Sequence, residues 1–229
     1  GYCPYEMQSW SVPENQNAVE MKIPLIQGSR IHGKVTASDG QTPLANAQVM
    51  LSYESGDFQM INSEQSLFSD KEGNFNFPQI PPNQYRLSIS LGGYIGEQIV
   101  GIRPQPGDEK NFSVKLFKPG NISGTVMLEE NRSPLPNIEI SARGASQRTG
   151  TSDENGFFTI GSLKPGSYPL TCNPSGFRPY QSTSVIQLEE GQSVSNAEVH
   201  LKPLPPAMVV SVRREVFLPD QDLVFQIRT

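Results

Sequence analysis

The chain has 229 residues and a formal net charge of −5, and its charges of both signs are interspersed. This balance argues against a nucleic-acid partner, whose phosphates require clustered Lys and Arg, and no run of about 18 apolar residues is present that could span a membrane. Its 20 glycines and 20 prolines are spread along the chain, which favours one or two all-β domains of short strands joined by turns.

Residues 1–29 precede the first recognisable pattern and are expected to be an N-terminal extension. They hold either the last strand of a preceding module or an added strand for the first domain. Of the two cysteines, Cys3 lies in this extension and Cys172 lies far along the chain, so they form no disulfide framework or metal site. Because Cys172 alternates in phase with Tyr168 and Leu170, a buried free thiol is expected, with a bridge to Cys3 as the alternative.

Most of the remaining chain is one pattern written twice. The stretch RIHGKVTASDGQTPLANAQVML, from Arg30, aligns without a gap on NISGTVMLEENRSPLPNIEISA, from Asn121. The stretch SDKEGNFNFPQIPPNQYRL, from Ser69, aligns in the same way on SDENGFFTIGSLKPGSYPL, from Ser152, and eight extra residues precede it in the first copy. An internal repeat of this length predicts two tandem domains of the same fold.

The two predicted domains, residues 30–118 and residues 119–203, alternate apolar and polar residues with a period of two. Ile31, Gly33 and Val35 follow this alternation, which is typical of strands that bury one face. Each copy also has an Asp-to-Gly turn, DKEG or DENG, and a later turn that contains proline. Roughly seven short strands per copy, with turns about every eight to twelve residues, predict a β-sandwich.

The order of these elements is specific when it is taken as a set. A first strand ends in GKV or GTV, then come PLANAQV or PLPNIEI, SDxxGxF, and a proline turn before YxL. This series resembles the carboxypeptidase regulatory-like domain. The resemblance implies two tandem seven-stranded Greek-key β-sandwiches of the prealbumin-like or transthyretin-like type. Such modules often occur in tandem arrays in bacteria, so it also implies a secreted, periplasmic or cell-surface bacterial protein.

The connections of the two copies predict a stiff pair within a longer array. Only Lys118, Pro119 and Gly120 separate the copies, too few residues for free tumbling. Residues 204–229 carry two strand-like runs around LPDQD and resemble the start of a further β module. The partners expected from this organisation are neighbouring domains of a longer chain.

No set of residues in the sequence indicates catalysis, a metal or a cofactor. The two histidines, His32 and His200, fall in predicted strands, whereas a catalytic zinc needs about three protein ligands at suitable spacing. Asp70 and Asp153 begin the two Asp-to-Gly turns, and one or two carboxylates fall short of the roughly six to eight oxygens that calcium takes. We therefore expect the two aspartates to start turns rather than to bind calcium.

An enlarged loop in the first copy, residues 52–66, leaves a binding role open. Tyr53 and Phe58 are the candidate ligand-binding residues, because exposed aromatic rings stack on sugars and loops carry function more often than scaffolds do. We predict a non-catalytic structural or spacer module pair that positions neighbouring domains. The alternative is a module that binds carbohydrate or a surface protein through this loop.

Overall fold

The computed structural model describes residues 1–3, 25–53 and 65–205, and the regular elements within these ranges are all β-strands. In the same ranges no helix is long and apolar enough to cross a membrane. The strands predicted after residue 205 lie outside the described residues. The strands of the first domain are β1 (Ser29–Ala37), β2 (Gln48–Tyr53), β3 (Gln65–Phe68), β4 (Asn74–Ile80), β5 (Tyr85–Ser90), β6 (Glu97–Ile102) and β7 (Glu109–Leu116).

The first domain is a sandwich of two sheets, ordered β4-β1-β7 and β3-β2-β5-β6. The first and last strands, β1 and β7, pair in parallel with Val35 opposite Val114, and the other pairs are antiparallel. Ile31 and Val35 are fully buried whereas Lys34 between them is exposed. The predicted period of two is therefore confirmed, since one face of β1 lies on the core and the other faces solvent.

The second domain repeats this arrangement with two of its strands interrupted. Its strands are β8 (Gly120–Leu128), β9 (Glu139–Arg143), β10 (Gln147–Thr151), β11 (Phe157–Leu163), β12 (Gly166–Tyr168), β13 (Leu170–Cys172), β14 (Tyr180–Gln181), β15 (Ile186–Leu188) and β16 (Ser193–Leu201). The sheets are β11-β8-β16, β10-β9-β13-β14 and β12-β15. Pro169 separates β12 from β13 because proline has no N–H to donate to the ladder, whereas the repeat position in β5 is Arg86.

Each domain has its own hydrophobic core, to which both of its main sheets contribute. Tyr85 and Tyr168 occupy the same place in the two cores. Their hydroxyl groups donate to the carbonyl oxygens of Pro81 (2.8 Å) and Lys164 (2.7 Å), so each buried phenol has a partner. The predicted all-β fold of two tandem sandwiches is confirmed.

The Asp-to-Gly turns contain the same hydrogen bonds in both copies. Asp70 Oδ1 accepts from the backbone N of Glu72 (3.0 Å) and of Asn74 (2.7 Å). The bond from Asn74 N is the main reason that the pKa of Asp70 lies below its usual value. Asp153 makes the equivalent pair of bonds, both at 2.9 Å. These bonds explain the repeated aspartate as a turn residue.

The serine before each aspartate ties this turn to the loop that follows the domain's first strand. Ser69 Oγ accepts from Ala47 N (2.9 Å) and donates to Leu44 O (2.7 Å). Ser152 Oγ makes the equivalent bonds in the second domain, at 2.9 Å and 2.7 Å. Both serines are buried, so each hydroxyl satisfies two backbone groups that would otherwise lose their hydrogen bonds away from water.

A glycine in the first strand of each domain allows the parallel partner strand to approach closely. A Cβ atom at Gly33 would overlap with the carbonyl oxygen of Phe112 in β7. At the repeat position, a Cβ atom on Gly124 would overlap with the carbonyl oxygen of Ala197 in β16. The GKV and GTV signatures are therefore required by the contact between the first and last strands.

Candidate functional site

The structure places one of the two predicted ligand-binding residues. Tyr53 ends β2, and its ring stacks on the ring of Tyr85 with centroids 4.9 Å apart and planes at 29°. Tyr53 also packs against the first core and is partly buried, so one face of its ring is covered. Phe58 lies outside the described residues. Ligand binding through residues 52–66 therefore stays a prediction.

Both histidines lie next to glutamates on strands of the sheets that contain β1 and β8. His32 Nε2 is 3.1 Å from Glu109 Oε1, off the line of a hydrogen bond, and His200 Nε2 is 2.9 Å from Glu198 Oε2. In the part of the chain that the structure describes, no group of three or more His, Cys, Asp or Glu side chains is placed to hold a metal ion. The two histidines are strand residues, half-buried beside carboxylates.

The two cysteines are both free thiols. Cys172 is only 7% exposed in the second core, and burial raises its pKa to about 11. Little thiolate exists at neutral pH with such a pKa, so this thiol is unreactive while the second domain stays folded. The prediction of a buried free thiol at Cys172 is confirmed.

The contacts between the two domains form the candidate functional site, which we name the domain junction. The domain junction consists of Ser38, Glu97, Phe117, Lys118, Pro119, Gly120, Lys164 and Glu190. Ser38 lies in the turn after β1, and Glu97 begins β6. Lys164 follows β11, and Glu190 lies in the turn before β16. Residues far apart in sequence are therefore brought together at one place between the two cores.

Glu190 of the second domain holds the end of the first. Its Oε2 accepts a short hydrogen bond from Ser38 Oγ, and its Oε1 accepts from the backbone N of Lys118 at 2.8 Å. These two bonds, first the one from Ser38, hold the pKa of Glu190 below its ordinary value. The carboxylate thus links the linker and a turn of the first domain to a turn of the second.

A second contact is made by Lys164. Its Nζ lies 2.6 Å from Glu97 Oε2 in the first domain and 5.8 Å from the centroid of the Phe117 ring. The Lys164 and Glu97 side chains are 27% and 33% exposed, so water screens this ion pair less than it screens a fully exposed pair. The ammonium group is therefore held by both a carboxylate and an aromatic face of the first domain.

The covalent linker adds little freedom between these contacts. Pro119 fixes its own φ, and the N–H of Lys118 is already bonded to Glu190. Gly120 begins β8 and is buried, and a Cβ atom there would lie 2.8 Å from Leu188 Cδ2. Since both ends of the linker are held by the adjoining domains, bending or twisting requires the side-chain contacts to break.

Sequence reasoning predicted the stiff linker but not the side chains that hold it. Ser38 and Glu190 are 152 positions apart, and Lys164 and Glu97 are 67 positions apart. No motif connects such positions. The internal repeat does offer a signal, because the second copy has Glu190 and Lys164 where the first copy has Pro106 and Pro81.

The pair of domains has two outer ends. The leading end, on the first domain, is the repeat equivalent of the surface that the second domain uses at the domain junction. The trailing end, on the second domain, is the repeat equivalent of the surface that the first domain uses there. At the leading end, Gln27 packs over Gly107 as Lys118 packs over Gly191 in the junction. A cavity of ≈ 380 Å³ lies there. At the trailing end lies a cavity of ≈ 510 Å³, lined by Glu129, Glu130, Arg178, Lys202 and Pro203. Glu129 and Lys202, the counterparts of Ser38 and Phe117, form an ion pair of 2.9 Å there.

Comparison with known proteins finds relatives over most of the chain. This chain is 24% identical over 169 residues to the BOS complex subunit NOMO1 of Mus musculus, and it has the same identity over the same length to the BOS complex subunit NOMO3 of Homo sapiens. Each match covers 72% of this chain and 13% of the relative, so the chain spans about an eighth of the length of these curated relatives.

Solved structures that match this chain include two bacterial proteins. The minor pilin GBS52 of Streptococcus agalactiae matches 80% of this chain and 100% of its own, with a TM-score of 0.39 and 14% identity. The Bacillus anthracis TIE protein matches 77% of this chain and 34% of its own, with a TM-score of 0.34 and 18% identity.

The family match follows the internal repeat. The carboxypeptidase regulatory-like domain matches twice, at residues 30–117 and at residues 121–202. Together these two matches cover most of the chain, and each coincides with one sandwich and its core. The chain therefore belongs to the carboxypeptidase regulatory-like domain family.

Proposed function

We propose that this chain is a non-catalytic pair of structural modules that acts as a rigid spacer and positions neighbouring domains in a secreted or cell-surface multidomain protein. The observation that carries the proposal is the domain junction. Its two side-chain contacts, around Glu190 and Lys164, join the domains in addition to the linker. Contacts of this kind serve a spacer because they limit the angles that the two sandwiches adopt.

The free energies of the two side-chain contacts are modest but sufficient to bias the angle between the two domains. Each side-chain contact is worth about 1 kcal/mol or less, because Glu190 is exposed and Lys164 is partly exposed. Since the linker keeps the partners close at all times, the contacts form without the entropy cost of bringing separate molecules together. Loss of both contacts is expected to raise the population of bent conformations about tenfold.

The outer ends support the positioning role. The leading end and the trailing end each present the surface that one domain uses at the domain junction. Arg178 and Lys202 replace apolar Ile95 and Phe117 at the trailing end, which makes that end charged. Glu129 and Glu130 lie beside these two cations, so the trailing end presents charges of both signs to a neighbouring domain. Neighbouring domains of a longer chain are the proposed partners.

The experiment is a distance measurement between the domains by pulsed electron spin resonance. Spin labels are attached in the equivalent Asp-to-Gly turns through Lys71→Cys and Glu154→Cys, both at exposed positions, in a Cys3→Ser background. Cys172 is not labelled, because its thiol is buried with a pKa of about 11. A rigid spacer gives one narrow distance peak, which broadens in the Lys164→Ala/Glu190→Ala variant.

The matched control removes an ion pair that lies within one domain. Lys202→Ala breaks the pair with Glu129 at 2.9 Å, far from the domain junction, and should leave the distance peak unchanged. A broad distribution in the unmodified pair would contradict the spacer function. An equal width in the Lys164→Ala/Glu190→Ala variant would instead show that the linker alone sets the angle.

A further inference from the structure

The second domain carries a polar cavity on the outer face of the sheet β10-β9-β13-β14. We name it the sheet groove, and its volume is ≈ 670 Å³. Its lining includes Glu139, Ser141, Arg143, Thr171, Asn173 and Tyr180. The volume lies in the range of about 300–1,000 Å³ that is typical of small-molecule sites.

The floor of the sheet groove comes from a change between the two copies. In the first domain, one row across the sheet is Ser66, Met50, Ser88 and Gln98, and in the second domain the same row is Thr149, Ser141, Thr171 and Gln181. Three of these positions keep a hydroxyl or amide side chain of similar size. At the fourth, the long Met50 is replaced by Ser141, which leaves the floor low and polar.

Two charged side chains of opposite sign stand along the same strand on the two sides of Ser141. The carboxylate of Glu139 has no hydrogen bond or ion pair with any described residue, and the guanidinium of Arg143 makes one long bond, from Nε to Ser141 Oγ at 3.4 Å. Their Cα atoms are four residues apart, or about 13 Å along an extended strand. The Glu139 carboxylate can therefore accept further hydrogen bonds at one end of the sheet groove, and the Arg143 guanidinium can donate further hydrogen bonds at the other end.

The remaining lining combines hydroxyls, an amide and ring carbons. Thr171 Oγ1 lies 3.5 Å from Ser141 O, at the floor. Asn173 offers both a donor and an acceptor, and Pro174 and Pro179 line the rim beside Tyr180. The Tyr180 hydroxyl donates to Glu198 O at 3.3 Å, and that fixes the ring at one wall.

This mixture selects one class of ligand. Balanced charges do not favour an anion such as phosphate, and a floor of hydroxyls does not favour an apolar molecule. A sugar has hydroxyl groups that both donate and accept, and it has C–H faces that pack on proline and tyrosine rings. We propose that the sheet groove binds a short neutral oligosaccharide, which lies along β9 between Glu139 and Arg143.

The test is an NMR titration of the whole chain labelled with ¹⁵N. The probes are neutral trisaccharides of glucose, of mannose and of N-acetylglucosamine, supported by a glycan array to extend the range of sugars. Saturable shifts at the amides of Ser141, Thr171 and Asn173 are the expected result. Saturable shifts confined to other amides, or no bound glycan on the array together with no shifts, would overturn the proposal.

The repeat itself provides the variants. Ser141→Met places the residue of the first domain in the floor, and because the same sheet position accepts Met50, the second domain should stay folded. We expect Ser141→Met to weaken binding at least about tenfold, whereas Ser141→Ala, which removes one floor hydroxyl but leaves the sheet groove open, should weaken binding by less than Ser141→Met does. Met50→Ser is the control in the other domain. Unchanged affinity in Ser141→Met would refute a site at this floor. The rigid spacer function does not depend on any of these outcomes.

Discussion

The two domains are most alike at buried positions and least alike at positions that belong to the domain junction or the sheet groove. Ser69 and Ser152 make the same pair of hydrogen bonds at the same distances, although 83 positions separate them in the chain. At the domain junction and the sheet groove the copies diverge. Pro106, Pro81 and Met50 of the first domain correspond to Glu190, Lys164 and Ser141 of the second.

This difference distinguishes positions that serve the fold from positions that serve a contact or a binding site, within a single sequence. Among the positions that are the same in both copies, Ser69 and Ser152 satisfy buried backbone groups, and Gly33 and Gly124 allow two strands to approach. Some of the positions that differ lie at a contact or cavity that only one copy has, such as the domain junction or the sheet groove. The comparison therefore acts as an internal control, and it can be tested by substitutions at both kinds of position.

The largest effect is expected at the shared glycines. Gly33→Ala and Gly124→Ala force a Cβ against a backbone carbonyl of the parallel partner strand, which cannot move as a flexible side chain can. Each substitution should destabilise its own domain by about 3 kcal/mol. The measurement is hydrogen exchange by mass spectrometry, with peptides assigned to each domain.

The control for this prediction is Gly92→Ala, since a Cβ atom at Gly92 meets nothing within 4 Å. It should leave the exchange of both domains unchanged. Faster exchange confined to the substituted domain would confirm that the sandwiches fold as separate units. If Gly33→Ala left the first domain as protected as before, the close approach of β1 and β7 would not be the reason for this glycine.

A smaller effect is expected from Ser152→Ala. The substitution leaves the N–H of Ile138 and the carbonyl of Leu135 without their partner in a buried place, at a cost of about 2 kcal/mol. Cys172 reports the loss, because its buried thiol is modified only when the second domain opens. Its modification rate, followed by mass spectrometry, should rise roughly 30-fold.

Ser69→Ala is the matched variant in the other copy, with the same lost hydrogen bonds. It should destabilise the first domain and leave the modification rate of Cys172 near that of the unmodified chain. An increase as large as that of Ser152→Ala would mean that opening of the first domain exposes the second, and the two domains would then be one cooperative unit.

The features that the sequence predicted are of a local kind. The period of two along β1, the Asp-to-Gly turns and the inward Cys172 depend on neighbours within a few residues or on the repeat. Local chemistry is sufficient for such features, because a turn or a strand face is decided by the residues that form it. The two sandwiches could be predicted for this reason.

The candidate sites could not be predicted in this way. Glu190 and Ser38 meet only because two folded domains are placed side by side, and neither residue type has a local preference that indicates it. The sheet groove depends on Ser141 being shorter than Met50, which matters only once four strands stand in register. The ligand-binding role of Tyr53 stays a prediction, and the sequence did not indicate that one face of its ring is stacked on Tyr85.

The smallest effect on stability is expected from the pH dependence of the domain junction. The bonds from Ser38 and Lys118 hold the pKa of Glu190 below its ordinary value, so the folded junction favours the ionised carboxylate. Their contribution is present at pH values above the ordinary glutamate pKa of about 4.3 and is lost as the pH falls through the lowered pKa. The distance peak between labels at positions 71 and 154 should therefore broaden on acidification, below about pH 4.

Glu190→Gln and Glu189→Gln make this a test of one carboxylate. Glutamine cannot titrate, so Glu190→Gln should give at neutral pH a junction that is already loosened and a width that depends little on pH. Glu189 is the adjacent exposed residue, and its substitution removes the same charge without touching Ser38 or Lys118. Acid broadening that persists in Glu190→Gln would assign the pH dependence to another group and would contradict this prediction.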